Sequence, residues 1–158
     1  MSLAITSILT LLLIIAYFST KRNLHIYEQF FLFFIVVFIY STYQTIMIVN
    51  VEHWQLCEKA ICIITYLING NIYVPFAFLW LIDRWYGVKG NFMNYLFLFL
   101  CFISLLFLGE YVLFRFEVFK TNDWNSWMSA LVWLFLAGFI FIAQKLFRRL
   151  LKKEGGVP

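Results

Sequence analysis

The residue that most invites a chemical reading is Glu110, a carboxylate inside the apolar run from Phe92 to Phe114 and five residues ahead of Arg115. On a helix that places it about 7.5 Å inside the end of the segment. Taking a carboxylate out of water disfavours its charged form unless a cation or several donors compensate, so an ionisable group in an apolar span is a functional candidate by default. No lysine or arginine is expected at its depth; the donors on offer are Gln44, Thr65, Asn69, Tyr111 and Ser129, all neutral. Glu110 is therefore expected to face the other helices and bond to some of these groups. The plainer alternative is that it reaches the interface or pairs with Lys120.

A second candidate is the interruption Asn69-Gly70-Asn71-Ile72-Tyr73-Val74-Pro75 in the middle of another apolar run. Pro75 has no N–H and its ring clashes with the carbonyl of Asn71, which predicts a kink just before the proline. Gly70 lowers the cost of local unwinding. Broken helices of this kind form ion and substrate sites in transporters, although a kinked helix whose amides bond their neighbours would read the same way. Gln44, Thr65, Asn69, Asn71, Glu110 and Ser129, with Thr6 and Thr10 at similar depth, make up a candidate polar pocket.

Other chemistry finds little material. Phosphate loops, dinucleotide fingerprints, zinc-protease motifs and nucleophile elbows are absent. Cys57, Cys62 and Cys101 are an odd set, the spacing of the first two puts them on different faces of a helix, and His53 adds no ligand pattern. No catalytic residue, metal site or cofactor is assigned, and an enzyme is not expected.

The elements that must position these residues are five apolar segments, at 3–20, 29–51, 59–82, 92–114 and 125–143, joined by short connections. With 64% hydrophobic and 13% charged residues, the chain is far from soluble composition, in which about a quarter of residues are charged. The fold class is all-α: a polytopic membrane protein, one domain over 1–158, built as a bundle of five transmembrane helices. Short connections make successive helices antiparallel neighbours. The first segment has no basic residue before it and ends at Lys21-Arg22, the reverse of a signal peptide, so it is expected to be retained.

Tyr40, Tyr43, Gln44 and Met47 share one face of the second helix, which should look into the bundle, while Ile39, Ile46 and Val49 can meet lipid. Ser126, Ser129, Ala130, Trp133 and Ala137 form a stripe on the fifth helix that should pack closely. Aromatic belts are expected at both interfaces, from Trp54, Tyr111, Trp124 and Trp127 on one side and from Tyr17, Tyr27, Trp80, Trp85, Tyr86 and Tyr95 on the other. Beyond the fifth helix, residues 144–154 read as a basic amphipathic tail. Its Lys145, Arg148, Arg149, Lys152 and Lys153 should contact anionic lipid headgroups.

Lys21, Arg22, Arg84, Lys89 and the five tail cations fall on one side, against Lys59, Arg115 and Lys120 on the other. The positive-inside rule then puts the C-terminus in the cytoplasm and the N-terminus outside. The net charge of +4 sits at the ends of apolar runs and not in a basic domain, so nucleic acid is not an expected partner.

The residues Glu110-Tyr111, Phe119, Trp124-Asn125, Ser129, Trp133-Leu134 and Phe147-Arg148-Arg149-Leu150-Leu151, with the Asn71-Ile72-Tyr73-Val74-Pro75 segment, resemble a family of small multi-pass membrane proteins of spore-forming Gram-positive bacteria. The resemblance covers roughly the last 90 residues. It implies a bacterial cell membrane and carries no activity or catalytic residues with it. The leading expectation is a structural or accessory membrane component acting through helix contacts with itself or a membrane partner. The rival is a small transport or ligand-binding protein using the Glu110 and Asn69–Asn71 region.

Overall fold

The computed structural model describes residues 1–51, 53–88, 92–121 and 126–154. Lys89, Trp124, Asn125 and the side chain of Ser126, all used above, lie outside the described residues. The elements in chain order are α1 (Ser2–Phe18), α2 (Ile26–Thr45), β1 (Trp54–Leu56), α3 (Ala60–Ile68), α4 (Val74–Gly87), α5 (Phe92–Arg115), β2 (Phe119–Thr121) and α6 (Ser126–Lys153). A π-helical turn, Ile46–Asn50, extends α2, and another, Asn69–Tyr73, joins α3 to α4.

Among the described residues, four spans are long and apolar enough to cross a membrane: Ile26–Asn50, Ala60–Gly87, Phe92–Arg115 and Trp127–Lys153. The 17-residue α1 is shorter, about 25 Å at 1.5 Å per residue. It still runs much of the depth of the bundle, because it packs along α3, α4 and α5. The chain is thus an all-α membrane bundle of five helices.

The α3–α4 span is the axis. Half of its apolar window is buried, against 28% for α2 and for the last span, and Ala77, Phe78, Leu81 and Ile82 are fully enclosed. The kink expected before Pro75 is taken up differently: the backbone stays helical and widens for one turn. The Val74 N–H reaches back to the Asn69 carbonyl, and Pro75 sits in the first turn of α4. The widened turn lies where the missing Pro75 N–H interrupts the ladder, so the irregularity absorbs the proline within a continuous helix.

Successive helices are neighbours except at the start. The principal partners of α1 are α3 and α4, while α2 packs on α4 and α6. The connection between them explains this. Asp83, at the end of α4, accepts hydrogen bonds from the N–H groups of Asn23 (2.7 Å) and Leu24 (3.0 Å), so the connection is tied across the end of α4. Gly87 is needed beside it, because a Cβ there would stand 2.4 Å from Asn23 Nδ2. This connection, Arg84 and the C-terminal part of α6 form the basic end of the bundle.

At the opposite end, two stretches expected to be plain connections pair as an antiparallel ribbon, with Trp54 opposite Thr121, Gln55 opposite Lys120 and Leu56 opposite Phe119. The ribbon covers a second small core of Met47, Trp54, Cys62, Leu113, Val118 and Phe119. Trp54 is therefore buried and does not belong to an aromatic belt; Tyr17 is likewise buried. Tyr27, Tyr111 and Trp127 are exposed, as a belt requires. Into the ribbon, α5 ends in a paired return of the chain: Val118 N–H to Leu113 O (2.9 Å) and Glu117 N–H to Phe114 O (3.1 Å). Glu117 takes the left-handed conformation, φ 52°, that glycine usually supplies at this point.

The basic tail is not a separate element. The helix α6 continues without interruption through Lys153, so residues 144–153 prolong the membrane-crossing helix and do not turn onto the surface.

Candidate functional site

Glu110 faces the bundle interior and is 7% exposed. Its Oε1 accepts a hydrogen bond from Ser129 Oγ (3.0 Å) and its Oε2 one from Trp133 Nε1 (3.4 Å), both on α6. The small-residue stripe of α6 is what lets this happen. Ser129, Trp133 and Ala137 are buried and Ala130 is half-buried, so the helix presents its donors toward α5. Among the donors expected from sequence only Ser129 serves Glu110, Trp133 serves without having been expected, and Tyr111 is 61% exposed and points elsewhere. Neither reaching to the interface nor pairing with Lys120 describes Glu110.

The rest of the polar set is packed around this pair. The Trp133 ring stacks on Tyr40, centroids 5.3 Å apart, and Tyr40 borders Gly70, where a Cβ would lie 2.8 Å from Gln44 Oε1. At Gly109, beside Glu110, a Cβ would lie 2.6 Å from the Tyr73 ring and 3.1 Å from Asn69 Nδ2. The two glycines thus let α2, α5 and the π turn close on one another. Gln44, Asn69, Glu110 and Ser129 are all buried within this packed region. Tyr73, not singled out from sequence, donates to the Leu105 carbonyl at 2.6 Å.

Two of the candidates serve other purposes. The Thr65 hydroxyl donates to its own helix, to the Ile61 carbonyl at 2.7 Å, as Thr10 does to Thr6. Such local bonds satisfy a hydroxyl without engaging a ligand. Asn71 is half-buried and accepts from Ser41 Oγ at 3.4 Å. Thr6 Oγ1 and Gln44 Nε2 are buried with no hydrogen-bond partner among the described residues.

Glu110 is not the only deeply buried acid. Glu28 and Asp83 are fully buried at the basic end. Glu28 Oε2 accepts the His25 N–H (2.8 Å), which caps α2, while Oε1 accepts Gln144 Nε2 (3.0 Å) and lies 3.4 Å from Arg148 Nε. Besides the two backbone groups, Asp83 takes Asn23 Nδ2 (3.3 Å) and pairs with Arg84 at 3.5 Å. Arg84 also donates to the Thr20 hydroxyl. An acid three residues after a helix start is a capping signal, so Glu28 was partly legible. For Asp83 the sequence holds no comparable sign.

Of the tail cations, Lys145, Arg149, Lys152 and Lys153 are exposed. Arg148 turns inward, to Glu28 and over the Tyr86 ring at 4.0 Å, and is only partly available to headgroups.

Cys57 precedes α3 and is not on a helix face, so the spacing rule does not govern its relation to Cys62. The Cys62 thiol foremost, then the Lys59 N–H, hold the Cys57 thiol below the usual thiol range. Among the described residues no group of three or more His, Cys, Asp or Glu could hold a metal ion.

No protein-family model, curated protein or solved structure matches the chain.

Proposed function

We propose that the protein is a structural or accessory component of a bacterial cell membrane, not an enzyme, acting through helix contacts with a second copy or a membrane partner. The observation that carries this reading is the packing of the polar middle. Glu110 is engaged by Ser129 and Trp133, and Gly70 and Gly109 bring their neighbours too close for an added methyl group. Polar side chains engaged in this way hold membrane helices together, each contact contributing roughly 0.6 kcal/mol. The resemblance of the third and later segments to small membrane proteins of spore-forming bacteria supports the bacterial setting.

The basic residues at the ends of α4 and α6 support a cytoplasmic C-terminus and an outer N-terminus. A C-terminal reporter active only outside the membrane would reverse that orientation.

The rival reading, a transport or ligand site at Glu110 and the π turn, draws on one observation. Among the described residues, Gln44 Nε2 and Thr6 Oγ1 are buried without hydrogen-bond partners, as groups awaiting a ligand would be. Purified protein in liposomes, assayed for proton, sodium and potassium flux under an imposed gradient, separates the two. The accessory reading expects no flux above protein-free liposomes. A flux abolished by Glu110→Gln would replace it with the transport reading.

A further inference from the structure

At the basic end, α4 and α6 border a cleft of about 750 Å³, walled by Trp85, Tyr86, Phe141 and Ile142 on one part and by Lys145, Arg148, Arg149 and Lys152 on the other. Its aromatic floor is braced. Trp85 packs edge-on against Phe141 at 4.9 Å and lies 4.7 Å from Tyr95, whose hydroxyl donates to the Val88 carbonyl at 2.9 Å.

The charges in this cleft are unevenly compensated. Arg148 is paired with Glu28, whereas Lys145, Arg149 and Lys152 form no ion pair among the described residues. Three cations lining one cleft, with no ion pair among the described residues, suit an anion. The apolar part of the wall runs along α6 through Ile142, itself 63% exposed, toward the lipid-facing Phe139 and Phe135. A ligand matching both parts is anionic at one end and a hydrocarbon chain at the other. Because both helices cross the membrane and end here, the cleft lies at headgroup depth.

We propose that this cleft is a binding site for one anionic phospholipid, its phosphate held by Lys145, Arg149 and Lys152 and one acyl chain laid along Phe141 and Ile142. A basic pocket between the ends of two spans is a recognised way of holding an anionic headgroup, distinct from the diffuse attraction of a polybasic surface. Arg148 is a positioning residue: its pairing with Glu28 and its contact with Tyr86 fix the wall from which the others project. The site depends on α4 and α6 crossing the bilayer, and not on the accessory role.

The test uses the full chain, delipidated in a neutral detergent, with phosphatidylglycerol or phosphatidylcholine added and bound lipid counted by native mass spectrometry. Wild type should retain phosphatidylglycerol over phosphatidylcholine. Lys145→Gln, Arg149→Gln and Lys152→Gln together should weaken that retention on the order of a hundredfold, if each cation contributes its usual share. A matched variant outside the cleft, Lys21→Gln with Arg22→Gln and Lys153→Gln, should stay near wild type. All three cleft cations are exposed, so folding should survive; the single Lys145→Glu gives an independent reading through charge reversal. Equal loss in the two triple variants would reduce the site to a general basic surface and overturn the proposal. Complete displacement of the lipid by millimolar inorganic phosphate or glycerol phosphate would also overturn it, in favour of a soluble phosphate ligand.

Discussion

The two ends of the bundle solve the burial of a carboxylate in different ways. At the basic end, Glu28 and Asp83 are fully buried and each has a cation beside it; Glu28 accepts one backbone N–H and Asp83 accepts two. Nearer the ribbon end, Glu110 has a hydroxyl and an indole. Backbone N–H groups and guanidinium groups only donate, so Glu28 and Asp83 need both of their oxygens as acceptors. A serine hydroxyl donates or accepts by rotating about one bond. The first pair of acids therefore fixes how chain segments meet, whereas the site at Glu110 tolerates a change of protonation or of side chain.

The largest effect should come from Glu28→Gln. Its carboxamide can keep the His25 N–H on its carbonyl and donate to Gln144 Oε1 once that amide turns over, but it sets an N–H donor toward the Arg148 guanidinium and leaves Arg148 without its counter-charge. Breaking a buried pair costs about 3–5 kcal/mol, which unfolding in mixed detergent micelles would register. Asp83→Ala should follow closely: it leaves the Asn23 and Leu24 N–H groups without their acceptor, at about 1–3 kcal/mol for each buried group.

Gly109→Ala should be next, because its Cβ would stand 2.6 Å from the Tyr73 ring. Overpacking of this kind costs about 1–3 kcal/mol. Gly138 is the control, since nothing lies within 4 Å of a Cβ built there. Gly138→Ala should be neutral or slightly stabilising in the same unfolding assay.

Glu110→Gln sharpens the comparison most directly. Its amide nitrogen can donate to the Ser129 oxygen while its carbonyl keeps the Trp133 N–H, so the loss should be about 1 kcal/mol or less. A loss as large as that of Glu28→Gln would show that Glu110 is held as a charge, and the contrast between the two ends would fail.

An effect of opposite sign, and of similar small size, concerns the ribbon end. Glu117→Gly should stabilise by about 1 kcal/mol, since a left-handed residue with a Cβ costs about that much more than glycine. No gain in the unfolding midpoint would mean that the Glu117 side chain contributes something that offsets its backbone.

Hydropathy and the length of apolar runs were enough to establish the membrane class and the five segments, because the bilayer imposes these on any chain that crosses it; Gly70 and Pro75 marked the region of the helix irregularity. The inward face of Tyr40, Gln44 and Met47 was also legible, since helical spacing fixes which residues share a face. Which helix that face meets was not. Trp133 reaches Glu110 and Tyr111 does not, because the partner of a buried acid depends on the rotation and depth of two helices, and packing sets both. The ribbon of Trp54–Leu56 and Phe119–Thr121 joins stretches far apart in sequence, each too short to announce a strand. Nothing in the sequence marks Asp83; the fold gives it a role by laying the Asn23–Leu24 backbone across it. Solvent preference acts on each residue separately and can be read along the chain; hydrogen-bond partnership is a property of pairs, and only the tertiary structure chooses the pairs.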